Sequence, residues 1–429
     1  MKRTIKRTLK QGTGIAGKVK GLPGNPVPSK CYNQHMSTIK KVAIGMSGGV
    51  DSSLSAALLK EQGYDVTGVF LECWRAPGCR AEEDRKDALA VALQLGVPFE
   101  VLDFKNEYKQ RVVEYFFSEY QAGRTPNPDV MCNKEIKFGM FYDWAMRHGF
   151  DAVATGHYAQ ILSEEDQLWL GRGVDDKKDQ SYFLYLMREE QLAHILFPIG
   201  HLHKPEVRAE AAKRSLPVAK KPDSQGICFI GEINVTNFLR ERLGDNPGDV
   251  VNTAGEVIGK HKGLWFYTIG QRHGFELLGK IRSENNEWKH VVPPFYVVGK
   301  DIDSNRLIVG FGEETYRDSF MVEEMHWINN AAKVAFERGE LRDVEVRIRH
   351  GGKLIPAEMS LNGKKKGDTM VKLQEKIQGI ADGQSAVVYS QQKCFGGGVI
   401  WTDLWKKEQE KIQPNESNSQ NLPKEQKEL

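Results

Sequence analysis

The chain has 429 residues, 60 Lys and Arg against 57 Asp and Glu for a formal net charge of +3, and 40% hydrophobic residues. That length exceeds what one core holds, so two or three soluble globular domains are expected, and the near balance of charge confines any nucleic-acid surface to a local patch. No apolar stretch is long enough to span a membrane, the N-terminus lacks the apolar centre of a secretory signal, and six scattered cysteines without a Cys-x-x-Cys pair exclude a disulfide framework and favour a reducing, cytoplasmic compartment.

Residues 1–38 are rich in Lys, Arg, Gly and Pro and free of acids, which reads as a basic disordered extension. They are either a basic tail or presequence, or an extension upstream of a start at Met36; the Gly and Pro content of 12–28 spoils a transit helix and favours the second reading. The apolar run 41–44 then predicts a strand, and 54–59 lies in the helix that follows. Between them stand Gly45, Met46, Ser47, Gly48, Gly49, Val50, Asp51, Ser52 and Ser53. Paired glycines let the backbone approach an anion, the serine hydroxyls add donors, and the helix beginning near Val50 turns its positive end to the same point. No Gly-Lys-Ser/Thr follows, and the Gly-x-Gly-x-x-Gly spacing is absent, so the loop is neither a Walker A nor a dinucleotide motif. Its Ser-Gly-Gly-x-Asp-Ser pattern resembles the PP-loop of the ATP pyrophosphatases, which split ATP into AMP and pyrophosphate.

Strand-like runs at 41–45, 65–71, 99–104 and 151–155 alternate with helical patterns at 50–61, 81–95, 107–120 and 134–148, which predicts an α/β, doubly wound parallel sheet. Such sheets bind ligands beyond the carboxyl ends of their strands, where the loop, Leu71 and the Thr155-Gly156-His157-Tyr158 turn all fall. From about Gly244 the texture changes to short β-like runs with frequent glycine, which predicts a small barrel. The boundaries expected are a PP-loop domain over 39–230, a small central domain over 231–285, a C-terminal β-barrel over 286–405 and a polar tail over 406–429.

Two cysteines sit in unusual loops. Cys132 follows Pro126 and Pro128, which forbid regular structure until a helical pattern opens near Asn133, so the thiol is expected at a helix N-terminus where the dipole favours thiolate. Asp129 lies three residues earlier, within reach to exchange a proton with a substrate. Cys228 stands between Gly226 and Gly231 in a second loop open to close approach. Cys31, Cys73, Cys79 and Cys394 read as small buried hydrophobes; Cys73 and Cys79 lack the third Cys or neighbouring His of a metal site, and no metal ligand set is expected.

Six segments, 45–53, 125–138, 155–158, 178–184, 226–231 and 263–272, together resemble the bacterial-type tRNA-specific 2-thiouridylases, in order from about Ile39 to Trp405. The resemblance implies ATP-dependent adenylation of the C2 oxygen of the wobble uridine, then displacement of AMP by sulfur carried as a persulfide. It implies Cys228 as the carrier, Cys132 as the thiol that releases sulfide or attacks the activated carbon, and a transient Cys132–Cys228 disulfide. ATP and Mg2+ are the implied cofactors, with the loop, Leu71 (where the family usually has Met) and Gly156 around the nucleotide. The implied partners are tRNA and a persulfide sulfur-donor protein, with the chain a monomer. Asn127, Pro128 and Asp129 match target-base contacts, Lys178, Asp179 and Gln180 match tRNA contacts, and Arg349, His350 and Gln384 match barrel positions that touch RNA. A cluster at Lys364-Lys365-Lys366 adds a candidate for phosphate contact. His157 has two readings, a contact to nucleotide or RNA and a structural histidine at a strand end. Rival readings are an amidating synthetase of the same superfamily, disfavoured for want of a glutaminase segment, an iron–sulfur thiolase, which would need a Cys-x-x-Cys, and a non-catalytic ATP- or RNA-binding module.

Overall fold

The computed structural model describes residues 39–75, 80–164, 167–223, 226–231, 233–278, 294–361 and 368–402. The expectations for 1–38, Cys31, Cys79, 364–366 and the tail over 406–429 lie outside them.

The first domain is built on five parallel strands, β1 (Lys41–Gly45), β2 (Asp65–Glu72), β3 (Phe99–Asp103), β4 (Ala152–Ala154) and β7 (Ile195–Leu196), in the order β3-β2-β1-β4-β7. The chain moves outward from β1 on one side and then on the other, so the order reverses between β1 and β4, and a ligand crevice is expected there. Helices α1 (Val50–Glu61) and α2 (Ala81–Leu95) coincide with the predicted periods. Val42, Ile44 and Ala154 face one apolar cluster, while Ala43, Val69 and Val153 face the other. The alternation shows a sheet covered on both faces, as a doubly wound domain requires.

Two helical runs carry π-helical turns. The first joins α3 (Lys105–Tyr108) through Lys109–Val113 to α4 (Glu114–Gln121); the second joins α5 (Pro128–Cys132) through Asn133–Phe141 to α6 (Tyr142–Arg147). This corrects one expectation. Pro128 does not hold off the helix until Asn133; it occupies the first turn, where its fixed φ suits a helix and its missing N–H is no loss, and the Asn127 side chain caps the end by accepting from the Val130 amide at 3.3 Å. Cys132 is therefore one turn inside a continuous helical run and not at its N-terminus.

The middle domain is a second sheet of β8 (Gly248–Val251), β9 (Val257–His261), β10 (Glu276–Leu277), β11 (Tyr296–Asp301) and β12 (Arg306–Gly310), ordered β10-β9-β8-β12-β11. The strands over 296–310, expected in the barrel, thus pair with β8 instead. The C-terminal strands β13 (Tyr316–Trp327), β14 (Asp343–Arg347), β15 (Ile355–Leu361), β16 (Thr369–Gln378), β17 (Ser385–Ser390) and β18 (Lys393–Trp401) form an antiparallel barrel that closes through pairing of β13 with β18. Closure leaves no free edge among these six strands, but one further hairpin is attached. Strands β5 (Ala159–Glu164) and β6 (Gln167–Arg172), read from sequence as part of the first domain, join the barrel at Lys393 and Cys394.

A buried ion pair ties the barrel to the first domain. The Asp179 carboxylate accepts from the Gly173 and Ser181 amides at 3.0 and 3.1 Å and from Arg347 of β14 at 2.7 Å, with neither side chain more than 4% exposed. Gln384 donates from the barrel to the Thr125 and Pro126 carbonyls at 3.0 and 3.2 Å, and the Thr125 amide donates to the Asp382 carbonyl at 2.8 Å. The segment leading into α5 is held from the barrel side.

Candidate active site

The serine-rich loop lies between β1 and α1 at the reversal point of the sheet. Gly48 has φ +73°, and a Cβ there would meet the Asp84 carbonyl oxygen at 2.1 Å, so both conformation and space require glycine. Ser52 Oγ accepts from the Ser47 amide at 3.1 Å and Ser53 Oγ donates to the Gly49 carbonyl at 2.8 Å, which folds the hydroxyls into the turn. Gly156, just past β4, approaches so closely that a Cβ would lie 2.6 Å from the Ser52 nitrogen. Met46 departs from the expectation in one respect: its side chain is buried in the sheet's apolar cluster with Val42 and Ile44, so only its backbone is available to a nucleotide. Leu71 is 6% exposed and packs in the cluster that contains Cys73, Tyr108 and Cys132.

Sequence reasoning missed the cations around this loop. Lys204 Nζ lies 2.8 Å from both oxygens of Asp51 and 2.9 Å from Asp223, and Tyr158 donates to Asp51 at 2.8 Å. Lys178 and Arg208 pair with Asp223 at 2.7 and 2.6 Å, which places Lys178 in this network. Lys221 donates to the Gly48 carbonyl at 3.0 Å and to Asp84 at 2.7 Å, and also pairs with Asp87. Asp223 is driven upward by burial, but hydrogen bonds from Lys178 and Lys204 overcome that and hold it down to about 2. One signal was present in the sequence: Lys204 stands beside Pro205 at the start of the helix α7 (Lys204–Lys213), against the macrodipole, an unfavourable place for an ammonium without an anionic partner.

The two loop cysteines meet. Both are free thiols, and Cys132 donates to Cys228 across an Sγ–Sγ distance of 3.4 Å although 96 positions separate them. Asp129 accepts from the Cys228 amide at 2.9 Å, and Tyr108 donates to the Cys228 carbonyl at 2.6 Å. The loop that holds Cys228 is a tight turn in which Gly226, Phe229 and Gly231 all have positive φ. The ionisation order reverses the sequence expectation. Burial pushes the Cys132 thiol well above its ordinary value, because the helix start that would have acidified it lies a turn away. Cys228 is lowered by the hydrogen bond from Cys132, against burial, with help from the ammonium of Lys137.

Lys137, on the π-helical stretch after Cys132, lies 3.4 Å from His157 Nε2, while Thr155 Oγ1 lies 2.7 Å from His157 Nδ1. His157 is 7% exposed between Phe138 and Phe197, and burial holds its pKa well below the ordinary range. It bridges Thr155 and Lys137. Thr155, Gly156 and His157 therefore lie between the two halves of the site, against the serine-rich loop through Gly156 and, through Lys137, beside Phe229 of the Cys228 loop.

The remaining candidates divide by burial. Arg349 and His350 are exposed, with the His350 ring 4.3 Å from that of Phe183. Asn127 is 9% exposed and used as a helix cap, Asp179 is enclosed by its ion pair, and Gln180 accepts from the Tyr158 amide at 3.0 Å. Asn127 and Asp179 are thus buried and hydrogen-bonded within the protein, and the half-buried Gln384 is bonded to the Thr125 and Pro126 carbonyls. Cys73 is buried beside the pair and Cys394 in the barrel wall.

Three family descriptions match in succession: the tRNA methyl transferase HUP domain over residues 40–232, its PRC-barrel domain over 236–311, and an aminomethyltransferase beta-barrel domain over 317–400. These limits agree with the sheets described above. Among curated proteins, the tRNA-specific 2-thiouridylases MnmA of Streptococcus agalactiae serotypes III and V are each 46% identical over 366 residues, covering 84% of this chain and 95% of theirs. Among solved structures, the NMN synthetase of Francisella tularensis aligns at 17% identity and TM-score 0.29 over 47% of this chain and 76% of its own. The U34-tRNA thiolase NcsA of Methanococcus maripaludis aligns at 16% identity and TM-score 0.31 over 49% of this chain and 72% of its own. Near-complete coverage at that identity, with the motifs in order, leads to one conclusion: the chain belongs to the tRNA-specific 2-thiouridylase family.

Proposed function

We propose that the protein 2-thiolates the wobble uridine of tRNA at the cost of one ATP. The observation that carries this reading is two free thiols 3.4 Å apart, joined through Thr155, Gly156 and His157 to a phosphate-binding loop. In this reading the uridine C2 oxygen attacks the α-phosphate of ATP, an O–P bond forms, and pyrophosphate leaves. Gly48, Gly49 and the α1 N-terminus hold the phosphates, Gly45 and Val50 border them, and Lys204 and Lys221 neutralise them. Mg2+ would be held by the phosphates with Asp51, a single carboxylate being usual for this ion in nucleotide sites, and would neutralise charge on the leaving pyrophosphate.

The sulfur step is an exchange. The Cys132 sulfur attacks Cys228 Sγ of the persulfide as its proton passes to the departing outer sulfur, the Cys228 sulfur–sulfur bond breaks, a Cys132–Cys228 disulfide forms and hydrosulfide leaves. Hydrosulfide adds to the activated C2 and AMP departs with the former uridine oxygen. A thiol reductant returns two electrons to the disulfide, which suits a reducing, cytoplasmic setting. Direct attack of the persulfide on C2 is the second form. Asp129 takes up the proton that the reacting uridine gives up, and burial, which raises its pKa, makes it a better base than an exposed carboxylate. Lys178, Arg349 and His350 offer the exposed surface for tRNA, with the chain acting as a monomer and a persulfide-bearing protein as donor.

The test separates the two thiols. With a persulfide donor labelled in its outer sulfur, Cys132→Ser should load label on Cys228 without thiolating tRNA, and Cys228→Ser should not load. Loading of Cys228→Ser at the wild-type level, with label on Cys132, would reverse the roles. Thiolation surviving in both variants would remove the cysteine mechanism.

A further inference from the structure

We infer that Lys137 is a positioning residue, the fixed cation that keeps Cys228 in its nucleophilic form and orders the two thiols, so that Cys228 and not Cys132 accepts sulfur. The inference rests on the proposed role of Cys228 as carrier. Lys137 follows Cys132 by five residues on the same helical run, so its ammonium is set with the backbone that holds that thiol. Its ammonium lies 3.4 Å from His157 Nε2 and 5.7 Å from the centre of the ring of Phe229, the residue next to Cys228, and its charge favours the Cys228 thiolate. Phe229 is a bulky residue at φ +64°, a conformation that persists only when its surroundings impose it. The Tyr108 ring, at 5.9 Å edge-on, and the Lys137 ammonium hold it, and with it the adjoining Cys228.

The charges around the ammonium explain why it stays protonated and what it does. Burial alone would discharge Lys137, but Cys228, Cys132 and Asp129 outweigh burial and raise its pKa. His157 adds no positive charge, since burial and Lys137 itself keep it neutral. Tyr108 and Cys73 are both pushed above their ordinary values, burial being the main cause, and remain protonated. The cluster thus holds one ammonium against Asp129 and one ionisable thiol pair. With Cys132 as the hydrogen-bond donor of the pair and Cys228 as the acceptor, Cys228 is the thiol of the two that ionises more readily. Loading then proceeds without redox change: a bond forms between Cys228 Sγ and the outer sulfur of the donor persulfide, the donor's sulfur–sulfur bond breaks, and the donor leaves as thiolate. Lys137 transfers no proton in this step.

The test is the pH profile of Cys228 alkylation by iodoacetamide, read by peptide mass spectrometry in the Cys132→Ser background and in the intact pair, for the wild-type residue, Lys137→Met and Lys137→Arg. An opposite charge at such range shifts a thiol by roughly 1–3 pKa units, so Lys137→Met should cut the alkylation rate at neutral pH about tenfold or more, with the two profiles converging at high pH. Lys137→Arg should restore most of the rate, because it keeps the charge. A melting curve establishes that each variant is folded, and should Lys137→Met not fold, Lys137→Gln takes its place. An unchanged profile in folded Lys137→Met overturns the inference. Wild-type enzyme that alkylates normally yet never loads donor sulfur on Cys228 overturns the carrier assignment instead.

Discussion

Oxidation of the thiol pair gives a quantitative test of the site. The Cys132 and Cys228 sulfurs lie 3.4 Å apart with 96 positions between them, so a mild oxidant such as diamide should close this disulfide in nearly every molecule. Cys73, which is 1% exposed and has its thiol pushed well up by burial, should remain reduced. Chain-entropy arguments assign a closed loop of that size a stabilisation of about 4.7 kcal/mol, an upper bound because the native loops must adjust. With a urea dependence of about 2–3 kcal/mol per M for a domain of this size, the PP-loop domain's unfolding midpoint should move up by at most about 2 M. The assay pairs non-reducing peptide mapping with urea titration of oxidised and reduced protein, and Cys132→Ser serves as the control that should show no shift. The oxidised enzyme should bind ATP normally and thiolate nothing until reduced. Linkage of Cys73 to Cys228 as the main product, or a fall in stability on oxidation, would refute the reasoning.

The other predictions address the loop, the domain junction, acid stability and the RNA surface. Asp51→Ala, Ser52→Ala and Lys204→Ala should each abolish tRNA-dependent release of AMP and pyrophosphate while leaving tRNA affinity near wild type, checked with labelled ATP and filter binding. Arg347→Leu removes the nearer of the two guanidinium partners of the buried Asp179 carboxylate, leaving Arg172 at 3.5 Å, and should destabilise the barrel junction by up to about 3–5 kcal/mol, read by thermal melting; Asp179→Asn with Arg347→Leu should recover part of that loss. Asp223 is held down to about 2 in the folded protein, so its contribution is present above the ordinary carboxylate range and is lost as pH falls from about 4 toward 2; Asp223→Asn should flatten the acid limb of a stability profile. The tRNA dissociation constant should rise steeply with salt, and Arg349→Ala should reduce that slope by about one unit.

The sequence reading succeeded where one residue pattern serves both local structure and chemistry. Gly48 and Gly49 read as a tight turn, which the φ of +73° at Gly48 bears out, and the apolar runs at 41–45 and 65–71 read as the parallel strands they form, so the domain and the shape of the loop were legible. The errors came where tertiary contacts decide. Pro126 and Pro128 read as breakers, but Pro128 with Asn127 before it is also a helix start, and choosing wrongly put Cys132 at the helix start when it lies one turn inside it. The strands over 296–310 and the 159–172 hairpin have ordinary alternation, and only their partners, β8 and β18, assign them to sheets. Lys137, Lys204 and Asp223 were missed because a single cation or acid carries no periodic signal. Their meaning comes from what stands within 3–4 Å, although Lys204 at a helix start was a clue.

The central claim is that this chain converts uridine to 2-thiouridine through an adenylated tRNA. The most direct measurement incubates purified protein with unmodified tRNA, ATP and a labelled persulfide donor, digests the RNA, and quantifies nucleosides by mass spectrometry beside AMP and pyrophosphate. The account predicts labelled 2-thiouridine at the wobble position with one AMP and one pyrophosphate per sulfur incorporated, and none of either without tRNA or with Asp51→Ala. Sulfur incorporation without AMP release, or AMP release that leaves uridine unmodified when a loaded Cys228 is present, would contradict it.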